Sequence, residues 1–208
     1  MTAWNDVRYK QNPSVSPFAA ALVNPASVDL RLGNQLRRVH PLWSYLSHND
    51  LRNLCEGHLL PAHAYRWLTK AEQDTYSASG GDFDALPKWG EVETFASAWL
   101  MPGEFVLCSS LETVTVPDDV VGILFSKSST GRRGLEHLHA GLFDPGFSGQ
   151  ATFEFHNVAP WPIRLDAEQR LMQLVFVQLD AVPLHTYAAT GRYQGQQGPT
   201  PARAEVRE

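Results

Sequence analysis

The sequence is poor in cysteine, in basic charge and in long apolar runs, and each shortage removes a class of protein. Only Cys55 and Cys108 occur, with no CxxC pair, so neither a disulfide framework nor a cysteine-rich zinc site is indicated. Two isolated thiols fit a reducing compartment such as the cytoplasm. The 17 Lys and Arg against 22 Asp and Glu leave a formal net charge of -5, whereas proteins that coat nucleic-acid backbone carry a basic excess. No run approaches the roughly 18 apolar residues of a membrane span, and the opening MTAWNDVRYK lacks the charged-then-apolar order of a signal peptide. No repeat of roughly 20 to 50 residues appears. The expectation is a soluble, cytoplasmic protein that binds neither nucleic acid nor membrane.

What is present suits a folded enzyme-sized domain. Of the 208 residues 43% are hydrophobic and 19% charged, with 10 Phe, 6 Trp and 6 Tyr, which is ample for a buried core. Val23 to Leu32 (VNPASVDLRL) alternates apolar and polar residues after a proline and reads as a short, edge-like strand. Between about 37 and 99 the text changes to mixed helical spacing and loop composition (SASGGDFD), which predicts an insertion holding a few short helices. From Met101 onward, EFVLCSSLETVTV, VVGILFS, ATFEFHNV, PIRLDA and RLMQLVFVQLD alternate with turn signals at Pro102-Gly103, Pro117-Asp118-Asp119, Pro145-Gly146 and Pro160. No helix long enough for a parallel crossover intervenes, so the fold class is mainly β, a distorted barrel or jelly-roll-like sandwich. The segment from about 188 to 208, ending GRYQGQQGPTPARAEVRE, has the composition of a mobile tail.

Chemistry-bearing residues concentrate between Lys127 and Asn157. Ser128, Ser129, Thr130, Gly131, Arg132 and Arg133 place hydroxyls, a glycine and two guanidinium groups just after a strand, a composition suited to cradling phosphate. A solvated basic turn is the plainer reading of the same residues. On the strand ATFEFHN, Thr152, Glu154 and His156 share one face and Phe153 and Phe155 the other; Glu154 is then either a solvent-facing carboxylate or a proton carrier. His137 and His139 alternate as a metal pair on a strand would, yet no spaced Cys or acidic third ligand accompanies them, so coincidence is the better reading. The HxE…PCxxC pattern of the zinc deaminases is missing too.

Taken together, these residues resemble the dCTP deaminase family of the dCTP deaminase and dUTPase superfamily, whose running signature is close to SSxGRxGL…HxTAGxxDPGFxGxxTLExxN. The sequence supplies Ser128-Ser129-Thr130-Gly131-Arg132-Arg133-Gly134-Leu135, His137-Leu138-His139-Ala140-Gly141, Asp144-Pro145-Gly146-Phe147-Ser148-Gly149, Thr152-Phe153-Glu154 and Asn157. NPASVDLRL at 24 to 32, Met101-Pro102-Gly103-Glu104-Phe105 and Arg192-Tyr193-Gln194-Gly195-Gln196-Gln197-Gly198-Pro199-Thr200-Pro201 agree as well. Two departures stand out. The linker from Gly134 to Ala140 is one residue short, and His139 replaces the customary Thr.

The resemblance implies a dUTPase-like β fold and zinc-independent deamination of dCTP to dUTP and ammonia. It implies Glu154 as general base and then acid, with the Ser128 hydroxyl and the Ala140 carbonyl holding the water and Arg132 stabilising charge. Lys127, Ser129, Thr130, Gly131, Asp144, Thr152, Phe153, Gln173, Tyr187, Arg192 and Gln196 become the implied substrate contacts. Tyr187, Arg192 and Gln196 belong to a lid over the triphosphate, with Arg192 standing where many members have Lys. Magnesium would arrive on the substrate phosphates, and a homotrimer would share residues between sites. The alternatives are a dUTPase or bifunctional enzyme that also releases pyrophosphate from dUTP, a deaminase of a modified dCTP, and a non-catalytic nucleotide-binding regulator using the 37 to 99 insertion.

Overall fold

A computed structural model describes residues 15–203; the amino-terminal reading above and the last five residues of the tail lie outside them. The chain forms two compact units. One comprises the chain up to Leu36 and from Val92 onward, the other Arg37–Glu91.

The first unit is built from antiparallel strands: β1 (Val15–Ser16), β2 (Val28–Arg38), β3 (Glu93–Thr94), β4 (Ser97–Leu100), β5 (Phe105–Thr115), β6 (Val120–Ser126), β7 (Leu135–His137), β8 (Leu142–Phe143), β9 (Ser148–Asn157), β10 (Ile163–Asp166) and β11 (Arg170–Gln178). The main sheet runs β7-β9-β5-β2-β11-β6-β8, with β1 on β5 and β3 on β2, while β10 pairs with β4. The sheet curls enough that Ser126 of β6 and all three residues of β7, far apart in strand order, line one pocket. The mainly β class holds.

The strand expected at Val23 to Leu32 is neither short nor at an edge. β2 has 11 residues and lies between β5 and β11. In its second half, GNQLRR, Asn34 is exposed, Leu36 is buried and the other polar residues are half-buried, and its interior place is fixed by partners remote in sequence.

Alternation elsewhere does what the pleat demands. Along β9, Ala151, Phe153, Phe155 and Asn157 are buried while Gln150, Thr152, Glu154 and His156 are half-buried. Phe153 and Phe155 are wholly enclosed in a core with Leu30, Leu32, Val106, Leu135 and Met172, and each such side chain contributes up to about 3 kcal/mol. A break in register between Ser109 and Thr113 of β5 turns Glu112 inward, where its carboxylate accepts from Arg31 Nε at 2.6 Å and from the Arg31 backbone N–H at 2.8 Å.

The Arg37–Glu91 unit has its own core of Leu42, Leu54, Leu60, Ala64, Leu68, Tyr76 and Leu86. Two helices frame it, α1 (His48–Cys55) and α2 (Lys70–Ala78), each started by a reciprocal capping box, Ser47 with Asp50 and Thr69 with Glu72. Three short 3-10 turns complete the unit. The Tyr76 hydroxyl, buried at the centre, accepts from the Leu60 N–H at 2.9 Å. Burial pushes the His40 imidazole below its usual 6.5, with nearby Glu72 opposing the shift. β3 and β4 pair within the first unit, so the compact second unit ends at Glu91. No described helix is long and apolar enough to cross a membrane.

Part of the tail is hydrogen-bonded to β9. The Gly195 N–H donates to Ser148 O (2.7 Å), Gln150 N–H to Gln196 O (3.0 Å) and Gly198 N–H to Gln150 Oε1 (2.7 Å). Composition signalled flexibility, but glutamine amides supply partners that composition cannot register.

Candidate active site

Sequence-expected residues arrive on four elements. After β6, Lys127 leads into the single-turn helix α3 (Ser128–Gly131). Ser128, Ser129 and Arg132 are exposed on that turn, whereas Thr130 is buried and its hydroxyl donates to Leu171 O at 2.8 Å. Thr130 therefore anchors α3 to β11. Lys127, expected at phosphate, pairs at 2.5 Å with Asp29, a carboxylate only 3% exposed that also accepts from Asn24 Nδ2 at 2.8 Å. That pair ties the start of the turn to β2.

Glu154 stands on β9 with its side chain 22% exposed. Its Oε2 is buried without a hydrogen-bond partner, as is the Thr152 hydroxyl one step along the same face. An unmatched buried polar atom costs about 1–3 kcal/mol, so this strand face has polar groups free to take up further hydrogen bonds. Phe153, also expected at substrate, points into the core, which leaves only its backbone for any ligand. Gln173 sits half-buried on β11, opposite Phe125 and Asp29.

Beside Glu154 lies His137, the last residue of β7, 1% exposed and with Nε2 3.2 Å from Glu154 Oε2. Sequence reasoning weighed His137 only as a metal ligand. The missing signal was the antiparallel pairing of β7 with β9, which places His137 opposite Phe155. The HxH alternation does not survive folding. β7 ends at His137, and His139 takes a left-handed backbone with φ 58° in an exposed loop. Among the described residues no group of three or more His, Cys, Asp or Glu side chains could hold a metal ion. Gly131, His137 and His139 nonetheless line one pocket of about 300 Å³ with Ser126, Gly134, Leu135, Glu136 and Val158, and Ala140 follows directly in the exposed loop.

Asp144 and Tyr187 meet elsewhere, in a pocket of about 290 Å³ with Pro145, Pro183, His185, Thr186 and Thr190. Tyr187 opens the short helix α4 (Tyr187–Thr190). Its ring packs on Phe147 and its hydroxyl accepts from the Tyr193 N–H at 3.0 Å. Gln196, expected at phosphate, is 8% exposed and its amide donates to Gln150 O at 2.6 Å. Arg192 is exposed, and its carbonyl accepts from the Arg203 guanidinium. Of the expected residues, Gly131 lines the first pocket and Asp144 and Tyr187 the second, while Glu154 comes within reach of the first through His137.

A curled antiparallel sheet thus carries the Glu154 carboxylate on β9, and the hydroxyl-rich turn α3 follows β6. A family model described as dCTP deaminase-like matches residues 4–179, and the chain belongs to that family. A protein of Mycolicibacterium paratuberculosis named dCTP deaminase, dUMP-forming is 39% identical over 194 residues, covering 91% of this chain and 86% of its own. One of the same name from Beutenbergia cavernae is 38% identical over 198 residues, covering 93% and 88%. The fold matches the crystal structure of 2'-deoxycytidine 5'-triphosphate deaminase from Agrobacterium tumefaciens with a TM-score of 0.52 at 19% identity. That match covers 82% of this chain and 45% of that one.

Proposed function

We propose that the protein converts dCTP to dUMP, ammonia and pyrophosphate, consuming two waters. This corrects the product expected from sequence, dUTP, because the relatives at 38 to 39% identity are named dUMP-forming. The observation that carries the deamination half is the Glu154 carboxylate, half-buried on β9 with Oε2 unmatched.

In the first step a water attacks C4 of the cytosine. Glu154 accepts the water's proton as the C–O bond forms and returns a proton to the exocyclic amine, which leaves as ammonia when the C–N bond breaks. Ser128 and the Ala140 carbonyl hold that water, and the exposed Arg132 stabilises charge developing on the ring. In the second step another water attacks the α-phosphorus, and pyrophosphate leaves with its electron pair. Asp144 orients this water. Ser129, Gly131, Arg132 and Arg192 face the phosphates, and Mg²⁺ enters with them as part of the substrate. In this reading Glu154 activates the water without zinc. From the family resemblance we infer a homotrimer in which each site draws on neighbouring chains.

The test is to incubate the protein with dCTP and Mg²⁺ and quantify ammonium, dUTP, dUMP and pyrophosphate together. Equal ammonium, dUMP and pyrophosphate are expected, with little free dUTP. Glu154→Gln, which keeps size and hydrogen bonding, should lower ammonium release on the order of 100-fold or more. Asp144→Asn should let dUTP accumulate. Stoichiometric dUTP from the unaltered protein would return the reading to a simple deaminase, and undiminished ammonium from Glu154→Gln would remove its central residue.

A further inference from the structure

The mechanism above assigns Glu154 its protons but gives no task to the imidazole beside it. His137 is 1% exposed, and its ring stands edge-on between Phe153 (centroids 6.3 Å apart, planes at 80°) and Phe155 (6.1 Å, 71°). Its Nε2 and Glu154 Oε2 are 3.2 Å apart, both are buried, and neither has a hydrogen-bond partner. The two atoms stand within reach of each other yet form no hydrogen bond in this conformation. A carboxylate's terminal torsion is a broad two-fold rotor, so a general base on a strand needs a second group to fix which oxygen faces its substrate. His137 is suitably placed: the two phenyl rings confine its own rotation, and it forms part of the wall of the pocket shared with Gly131 and His139.

We propose that His137 is the positioning residue for Glu154, its Nε2–H donating to Oε2 in the working site so that Oε1 is presented to the attacking water. The inference rests on the reading of Glu154 as the proton carrier of deamination. It requires only a small reorientation, since the heavy atoms are already near hydrogen-bond distance. It does not require His137 to touch substrate.

Three substitutions and one control test it, with the full-length protein and dCTP·Mg²⁺ as substrate. A glutamine at 137 carries its amide nitrogen near the place of Nε2, an asparagine falls short of it, and a phenylalanine keeps the bulk but removes the donor. His137→Asn and His137→Phe are expected to lower kcat for ammonium release on the order of 100-fold, the cost of a reacting group displaced by about 1 Å, with KM little changed. His137→Gln should recover most of that loss, a rescue that a merely space-filling role would not show. Wild-type kcat in His137→Asn, or His137→Gln as slow as His137→Asn, overturns the proposal. If the melting curve shows that His137→Phe does not fold, the comparison of Gln with Asn decides alone. Glu154→Gln is assayed alongside. Full activity there defeats the proton-carrier reading and this inference together, whereas an inactive Glu154→Gln beside a fully active His137→Asn defeats the inference only.

Discussion

Removing the Glu112 carboxylate should cost the β unit about 3 kcal/mol. The side chain is 0% exposed and holds Arg31 by its Nε at 2.6 Å and its backbone N–H at 2.8 Å. Glu112→Ala would therefore strand a backbone donor and a guanidinium in the interior. Breaking a buried ion pair by deleting one partner costs about 3–5 kcal/mol. The lower end applies because the Arg31 side chain is 20% exposed and has the surface carboxylate of Glu168 at 3.7 Å. For a unit of this size about 2–4 °C is lost per kcal/mol, so the midpoint should fall by about 6–12 °C. Urea unfolding followed by far-ultraviolet circular dichroism should show the loss as a lower midpoint at constant slope. Arg31→Met combined with Glu112→Leu should recover most of the stability, because apolar replacement of both partners avoids the stranded charge. A loss below about 1 kcal/mol in Glu112→Ala, or a double variant no better than the single one, would refute the reasoning.

The Arg37–Glu91 unit should weaken as pH falls. The folded His40 pKa lies below the 6.5 of the free group, so the unfolded chain binds its proton first. The stability is complete above 6.5 and is lost below it, which hydrogen exchange over residues 37–91 at pH 7.5 and 5.5 should show, with His40→Asn flattening the difference. At the tail, a Cβ at Gly149 would lie 3.1 Å from both N and O of Gln196. Gly149→Val should release residues 194–198 from β9, read as faster limited proteolysis of the tail at an almost unchanged melting temperature.

Strands were legible wherever alternation met a clear turn. VVGILFS became β6 residue for residue, and the runs for β5, β9 and β11 fell within a few positions of their observed limits. The short strands β7 and β8 could not be read, because three and two residues carry no period and their pairing with β9 and β6 creates them. Roles within the motif were less legible than its location. Nothing local distinguishes Ser128, exposed on its turn, from Thr130, whose hydroxyl is committed to Leu171 O. Nor does sequence show that Lys127 will be held by Asp29, 98 positions away. The Glu154–His137 pair is likewise a product of strand register, which residue spacing within either strand does not encode.

On the proposed function, the substrate reacts at two separated atoms. Deamination occurs at the base and diphosphate release at the α-phosphate, so one bound nucleotide must present two reacting atoms to two waters. The β9 strand spans that need. Glu154 lies four residues from Gln150, about 13 Å along an extended chain, and the tail docks at the Gln150 end through Ser148, Gln150 and Gln196. A lid held there lies at the far end of β9 from the carboxylate. The Gln196 amide, which donates to Gln150 O, cannot keep that bond and also reach phosphate with the same N–H. On the proposed function, a closure that turned this N–H to phosphate would exchange an internal hydrogen bond for a phosphate contact. The exchange is nearly balanced, since an internal bond contributes only about 1 kcal/mol net while bonds to charged oxygens are stronger. The polyphosphate of the substrate, more than its base, is thus the group able to draw the tail from its docked position.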